Sequence, residues 1–187
     1  NTLRKLALLK RKITKFELII IDDFSFDNSY AIIKKIKKKN KSIKLIKNKK
    51  KGLGSAIQLG ISSSKNDYAC IFMADLSDDI NDIIKYYNLM KKENIDAVFG
   101  SRFIKDSKVL DYPIVKLILN RIFNNFVRLI FFSNYNDFTN AFKIYNRKAL
   151  LKLFPFVSEN FNIFLEIPLR FITKGYKYCI IPIKWKN

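Results

Sequence analysis

A continuous apolar run, Tyr68 to Met73, that stops on Asp75 and is followed by carboxylates at Asp78 and Asp79 constrains this chain most strongly. An uninterrupted run of that length suits a strand covered on both faces, as in a parallel sheet. In open α/β sheets, ligands bind beyond the carboxyl ends of such strands. A carboxylate at that point can hold a divalent cation, and the cation can hold a diphosphate. Asp79 precedes the helical stretch Ile80–Lys92 and is expected to cap it. Asp75 lies too early to cap and is the better functional candidate.

The same pattern recurs along the first half. Phe16–Ile21 is apolar and ends in Asp22 and Asp23, with helix expected over Tyr30–Lys39. Lysines 34, 35, 37, 38 and 39 then form its solvated face. Ile43–Ile46 reads as a short strand, and Asn48–Ser55 as a Lys/Gly loop opening the helix Ala56–Ser62. Ile95–Phe99 is another strand, ending in Gly100-Ser101-Arg102-Phe103. Alternating strand and helix predict a parallel, doubly wound α/β sheet. Ahead of these, leucines at 3, 6, 8 and 9 predict an amphipathic helix over Thr2–Lys12, with Thr2 as its cap. The second half reads as a long helix Val115–Phe132, a polar loop Asn134–Asn140 and a short strand Ala141–Tyr145. Helices Arg147–Phe154 and Ile163–Lys174 and a closing strand Tyr176–Ile183 follow.

Composition narrows the chemistry. The 187 residues suffice for one domain with a sizeable core. A formal charge of +20 suits nucleic acid, an anionic membrane or phosphorylated substrates. The basic residues are overwhelmingly lysine, however, and Asn, Ile and Phe are abundant, which is the signature of an A/T-rich genome. The charge is therefore a weak guide to function, and nucleic acid is not expected as a partner. The chain has no histidine, which removes the commonest general base and zinc ligand. Cys70 and Cys179 lie in apolar runs without metal-type spacing, as expected of a buried, reduced pair in the cytosol. No apolar run reaches the length of a membrane span, and no signal peptide is visible.

Five motifs occur in order: I-I-I-D-D-F-S-F-D-N-S, N-K-K-K-G-L-G-S-A-I-Q-L-G, M-A-D-L-S-D-D, G-S-R-F and D-F-T-N-A-F-K-I-Y. Together they resemble a family 2 glycosyltransferase of the GT-A fold. The resemblance is strongest to the branch of dolichol-phosphate mannosyltransferase and the bacterial polyprenyl-phosphate glycosyltransferases. It implies a mostly parallel sheet flanked by helices, lacking its first strand within this stretch. That strand, with a Pro and an Asn-Glu motif, would precede Thr2, and a basic loop would follow Trp185. We accordingly expect a parent that continues in both directions, and an open sheet edge beside Phe16–Ile21.

The resemblance also implies roles. Asp22 and Asp23 would contact the nucleotide base and ribose, and Gly52 and Gly54 would lie near the nucleotide, where backbone amides and lysines can meet phosphate. Asp75 matches the second acid of a D-x-D metal motif, and Met73 stands where the first would fall. Asp75 would hold Mg²⁺ or Mn²⁺, with Asp78 as a candidate assistant. Arg102 would pair with phosphate, a surface ion pair being the plainer alternative. Asp137 and Lys143 would lie on the acceptor side, a structural pairing of the two being the alternative. Glu166 sits where the family often carries an acid, and is expected to be either exposed or buried and paired.

The implied reaction is inverting transfer of a sugar from a UDP- or GDP-sugar to a polyprenyl phosphate, at the cytoplasmic face of a membrane. A phosphate acceptor is already anionic and needs no general base. The alternative, a glycan hydroxyl in cell-surface polysaccharide synthesis, would need one, with Asp137 as candidate. A basic binding module without catalysis is a third possibility, carried by charge alone. On Val115–Phe132, Lys116, Asn120, Asn124 and Arg128 recur every fourth residue, widened by Arg121 and Asn125. The helix therefore either lies at a membrane interface or packs on the sheet. Phe131, Phe132 and Tyr135 would meet a lipid tail or fill core.

Overall fold

The computed structural model describes all residues except 1, 2, 4, 5, 7, 8, 14, 41, 76 and 187, and only the backbone of residue 10. Of the helix expected over Thr2–Lys12, residues 2, 4, 5, 7 and 8, the Thr2 cap among them, lie outside the described residues; Leu3 and Leu6 are helical and Leu9–Arg11 is a 3₁₀ turn. The strands are β1 (Leu18–Asp22), β2 (Ile43–Lys47), β3 (Tyr68–Ile71), β4 (Ala97–Ser101), β5 (Lys108–Leu110), β6 (Lys143–Asn146), β7 (Tyr178–Pro182) and β8 (Lys184–Lys186). The helices are α1 (Ser29–Lys39), α2 (Leu53–Ser63), α3 (Ile80–Lys92), α4 (Ile114–Ile130), α5 (Arg147–Leu151) and α6 (Ile163–Thr173).

The main sheet has the order β3-β6-β4-β7. Strands β4 and β7 run parallel, and β6 is antiparallel to both β3 and β4. So β3, β4 and β7 share one direction, which gives the expected mostly parallel sheet with one reversed strand. A parallel pair, β1 with β2, forms a second sheet, and β5 with β8 a third. Strands β5 and β8 were not foreseen, because three exposed or half-buried residues carry no periodic signal.

The apolar run Tyr68–Met73 is shorter as a strand than expected, and its position differs. It lies at the edge of the main sheet and its residues are only half-buried. The strand buried on both faces is β4, because β6 and β7 flank it and helices cover it on each side. Alternation across the pleat is visible there: Ala97 and Phe99 join one core cluster, Val98 the other. The first cluster packs against residues of α2, α4, α5 and α6, the second against Ile83, Tyr86 and Met90 of α3. The result is a three-layer arrangement of helix, sheet and helix.

Two local features follow from single residues. Asp79 caps α3, its Oδ1 accepting from the Asn81 amide at 2.9 Å. At the start of α1, Asp27 accepts from the Ser29 amide, and Asn28 occupies the cap position without a side-chain bond. The lysines of α1 are all exposed. Among the described residues β1 pairs only with β2 and β3 only with β6, so each keeps one open edge. Cys70 and Cys179 are free thiols and half-buried rather than buried; burial raises the pKa of both.

Candidate active site

Strands β1 and β3 bring their carboxyl ends to one side. Residues before β1 and before β3 meet: Glu17 accepts from the Lys65 and Asn66 amides. Helix α2 runs from beside Asp23 back toward that shared start, where Lys44 donates to the Ser63 carbonyl. The acidic ends of β1 and β3 therefore point the same way.

At the end of β1, Asp22 is buried, and its carbonyl accepts from the Asn48 amide. Both oxygens of Asp23 accept from the Gly52 amide, at 3.0 and 3.1 Å, and Oδ1 also accepts from Asn48 Nδ2. The Gly54 amide donates to the Glu159 carbonyl at 2.8 Å. Lys50 pairs with the Glu159 carboxylate. The amides expected to meet phosphate are thus engaged within the protein. The glycines serve a close approach instead: a Cβ on Gly54 would stand 1.8 Å from the Ser158 carbonyl oxygen, and Gly52 has φ +138°. Residues 155–162 lie across the start of α2. Glu166 holds this segment from its other side, accepting from the Val157 and Ser158 amides and pairing with Arg170 at 2.7 Å. Burial works against the Glu166 charge, but these donors lower its pKa. Glu166 is paired, as the second alternative had it, but half-buried rather than buried.

The second cluster joins the carboxyl ends of β3 and β4 to the start of β6. Asp75 is exposed, and its Oδ1 accepts from the Ser77 amide at 3.0 Å. Asp78 is 6% exposed, and its Oδ1 is the one buried side-chain N or O atom among the described residues with no partner. Burial pushes Asp78 up to about 7; Arg102 opposes this, while Asp75 and Asp137 add to it. Met73, at the position of the first motif acid, packs against the main core cluster. Beside Asp78 and Asp79 opens a cavity of about 530 Å³, lined also by Lys12, Ile84, Leu110, Lys184, Trp185 and Lys186.

Arg102 and Asp137 belong to each other. Arg102 donates from its amide and Nε to Oδ2, at 2.8 and 2.9 Å, and from Nη2 to Oδ1 at 2.7 Å. The side chains are 7% and 0% exposed. Burial alone would lower the Arg102 pKa; the hydrogen bond and charge of Asp137 overcome that and raise it. Phe103, Trp185 and Tyr112 surround the guanidinium at 5.2, 5.5 and 5.9 Å from their ring centroids. Arg102 is therefore not in a surface ion pair, and the structural pairing of Asp137 with Lys143 is replaced. Lys143 is buried and donates to the Phe138 and Asn140 carbonyls. Burial pushes Lys143 down to about 7, with Asp137 opposing.

A polar network inside the protein was missed from sequence. Asn124, fully buried, donates to Asn120 Oδ1 at 2.6 Å and to Thr139 Oγ1 at 3.2 Å; Thr139 in turn accepts from Arg102 Nη2. Asn120 also reaches the Tyr112 hydroxyl. The four-residue spacing of Asn120 and Asn124 was the available signal.

Residues 2–154 match the model of glycosyl transferase family 2. The chain belongs to that family. Dolichyl-phosphate β-glucosyltransferase of Saccharomyces cerevisiae is 26% identical to this family 2 chain over 200 residues, covering 96% of it and 60% of the yeast protein. Glycosyltransferase AglD of Haloferax volcanii is 25% identical over 173 residues, covering 91% and 28%. The chain thus spans less than two thirds of either relative's length. Among solved structures, glucosyl-3-phosphoglycerate synthase from Mycobacterium tuberculosis superposes with a TM-score of 0.74 at 13% identity, covering 100% of this chain and 67% of that one. Its complex with Mn²⁺, UDP and phosphoglyceric acid gives 0.70 at 12%, covering 98% and 63%. These similarities show the GT-A fold.

Proposed function

We propose that this protein transfers a sugar, with inversion, from a nucleoside-diphosphate sugar to a polyprenyl phosphate at a membrane surface. One observation carries the choice of acceptor. Asp137, the base that a hydroxyl acceptor would need, is buried with both oxygens on Arg102. A phosphate acceptor is anionic without a base, so Asp137 is left to position Arg102. The likeness to dolichyl-phosphate β-glucosyltransferases supports the same acceptor class. Those glucosyltransferases, and a structural neighbour crystallised with Mn²⁺ and UDP-glucose, favour UDP-glucose over a GDP-sugar as donor.

Asp75 and Asp78 fit a hard divalent cation. Both offer oxygen, and the buried Asp78 Oδ1 has no partner in the protein. Two carboxylates suit Mg²⁺ or Mn²⁺ bound jointly with diphosphate oxygens and water. When bound, the ion would supply Lewis-acid neutralisation of the departing diphosphate. Asp22 and Asp23 would border the base and ribose, with Asp23 also holding the Gly52 loop in place. Lys12, Lys184 and Lys186, on the cavity beside Asp78, would add positive charge near phosphate. The test is calorimetric titration of UDP-glucose and GDP-mannose into the full-length protein, with and without Mn²⁺, followed by transfer assays on a polyprenyl phosphate. Manganese-dependent binding lost in Asp75→Ala is expected. Binding that ignores the metal, or transfer only to a glycan hydroxyl, would overturn the proposal.

A further inference from the structure

The turn between β1 and α1 carries two phenylalanines that the core does not use. Phe24 and Phe26 follow Asp22 and Asp23, at the carboxyl end of β1. They are 52% and 104% exposed, and neither belongs to a core cluster. An exposed phenylalanine alone needs no explanation. Phe24, however, has φ +60°, in the left-handed region. There the Cβ of an L-residue crowds the following carbonyl oxygen, so a bulky side chain is an outlier. Folding gains little packing from this ring and bears the strain of holding it. Strained residues of this kind concentrate where a ligand is held.

The surroundings select the ligand. In α/β sheets ligands lie beyond the carboxyl ends of the strands, where this turn stands. Polar recognition is limited there. Asp22 is buried, and Asp23 already accepts two hydrogen bonds from the Gly52 amide and one from Asn48 Nδ2, which fills most of its acceptor capacity. What remains open to a ligand beside these carboxylates is the exposed side of the Phe24 ring. Phe26 is wholly uncovered, so nothing fixes its ring; Phe24 is half-covered and held by its backbone. We propose that Phe24 is the platform on which the nucleobase of the sugar donor stacks. The proposal rests on the nucleotide-sugar reading and deepens it: the base is gripped by its face more than by hydrogen bonds to its edge.

Two ligands titrated into the full-length protein and its variants by calorimetry decide the matter: UDP and inorganic pyrophosphate, each with Mn²⁺. Phe24→Leu keeps an apolar side chain in the same backbone conformation and removes the aromatic face. It should weaken UDP binding by roughly 5- to 150-fold, the range of one base–aromatic stack, and leave pyrophosphate, which has no base, unchanged. Phe24→Tyr should keep the wild-type affinity for UDP, and so should Phe26→Leu. Phe24→Gly relieves the backbone, so it should melt about 2–4 °C above the wild type while binding UDP more weakly. Unchanged UDP affinity in Phe24→Leu overturns the proposal. So does an equal loss for UDP and pyrophosphate, which would make Phe24 a support for the loop, and so does a Phe24→Gly protein that melts below the wild type. A wild-type protein that binds neither UDP nor pyrophosphate with Mn²⁺ overturns the transferase reading itself, so the two failures are distinct.

Discussion

Substituting Asp137 by Asn tests whether this carboxylate works in chemistry or in architecture. The structure gives Arg102 three hydrogen bonds to Asp137, all between 2.7 and 2.9 Å, in a pair almost closed to solvent. A carboxamide keeps the shape but removes the charge, and turns an NH₂ donor toward one of the donors of Arg102. Removing one partner of a buried ion pair costs about 3–5 kcal/mol, because the other charge is left uncompensated. In a domain of this size each kcal/mol moves the melting temperature by about 2–4 °C, so Asp137→Asn should melt about 6–20 °C lower. Arg102→Met combined with Asp137→Leu should recover much of that loss, since an apolar pair leaves no orphaned charge. Circular dichroism melts on the four members of this double-mutant cycle measure the coupling. The pH dependence of turnover supplies the second readout. If Asp137→Asn melts within about 2 °C of the wild type while turnover loses its rise with pH on the acid side, the carboxylate is a general base and the architectural reading is wrong.

Other consequences are as definite. Asp75→Ala should leave the melting temperature near that of the wild type, since Asp75 is exposed and bonds only a local amide, yet abolish manganese-dependent nucleotide binding by calorimetry. Gly54→Ala places a methyl group against the Ser158 carbonyl and displaces the Glu159 carbonyl from the Gly54 amide. The overpacking and the lost bond together should cost about 2–4 kcal/mol and speed limited proteolysis within 155–162. Lys143 is pushed down to about 7 from an ordinary 10.5, so between those values the unfolded chain binds the extra proton. Its contribution to stability therefore rises with pH across that window, by up to about 1.4 kcal/mol per unit, and is lost as pH falls through 7. Chemical denaturation at stepped pH should show the rise, and Lys143→Met should flatten it.

Much of this molecule was legible in one dimension. The alternation of apolar runs with helical stretches identified an α/β sheet. Helix α3 was placed residue for residue, because Asp79 caps it and an apolar stripe repeats along it. These are short-range rules, satisfied by neighbours a few positions apart. What failed depended on partners far along the chain. Tyr68–Met73 has the composition of a fully covered strand but lies at a sheet edge, since strand order is set by packing rather than by local pattern. The Gly52 and Gly54 amides looked available for phosphate; only the fold brings Asp23 and Glu159 onto them. Asp137 lies 35 residues from Arg102, and nothing in the spacing distinguishes it from a loop carboxylate that could have met Lys143. Helix α4 makes the division plainest. Its polar stripe was evident from a four-residue repeat, but a repeat has no inside or outside. That direction was decided when Thr139, itself held by Arg102, and Tyr112 supplied hydrogen-bond partners for the asparagines, which left the leucines, isoleucines and phenylalanines facing out.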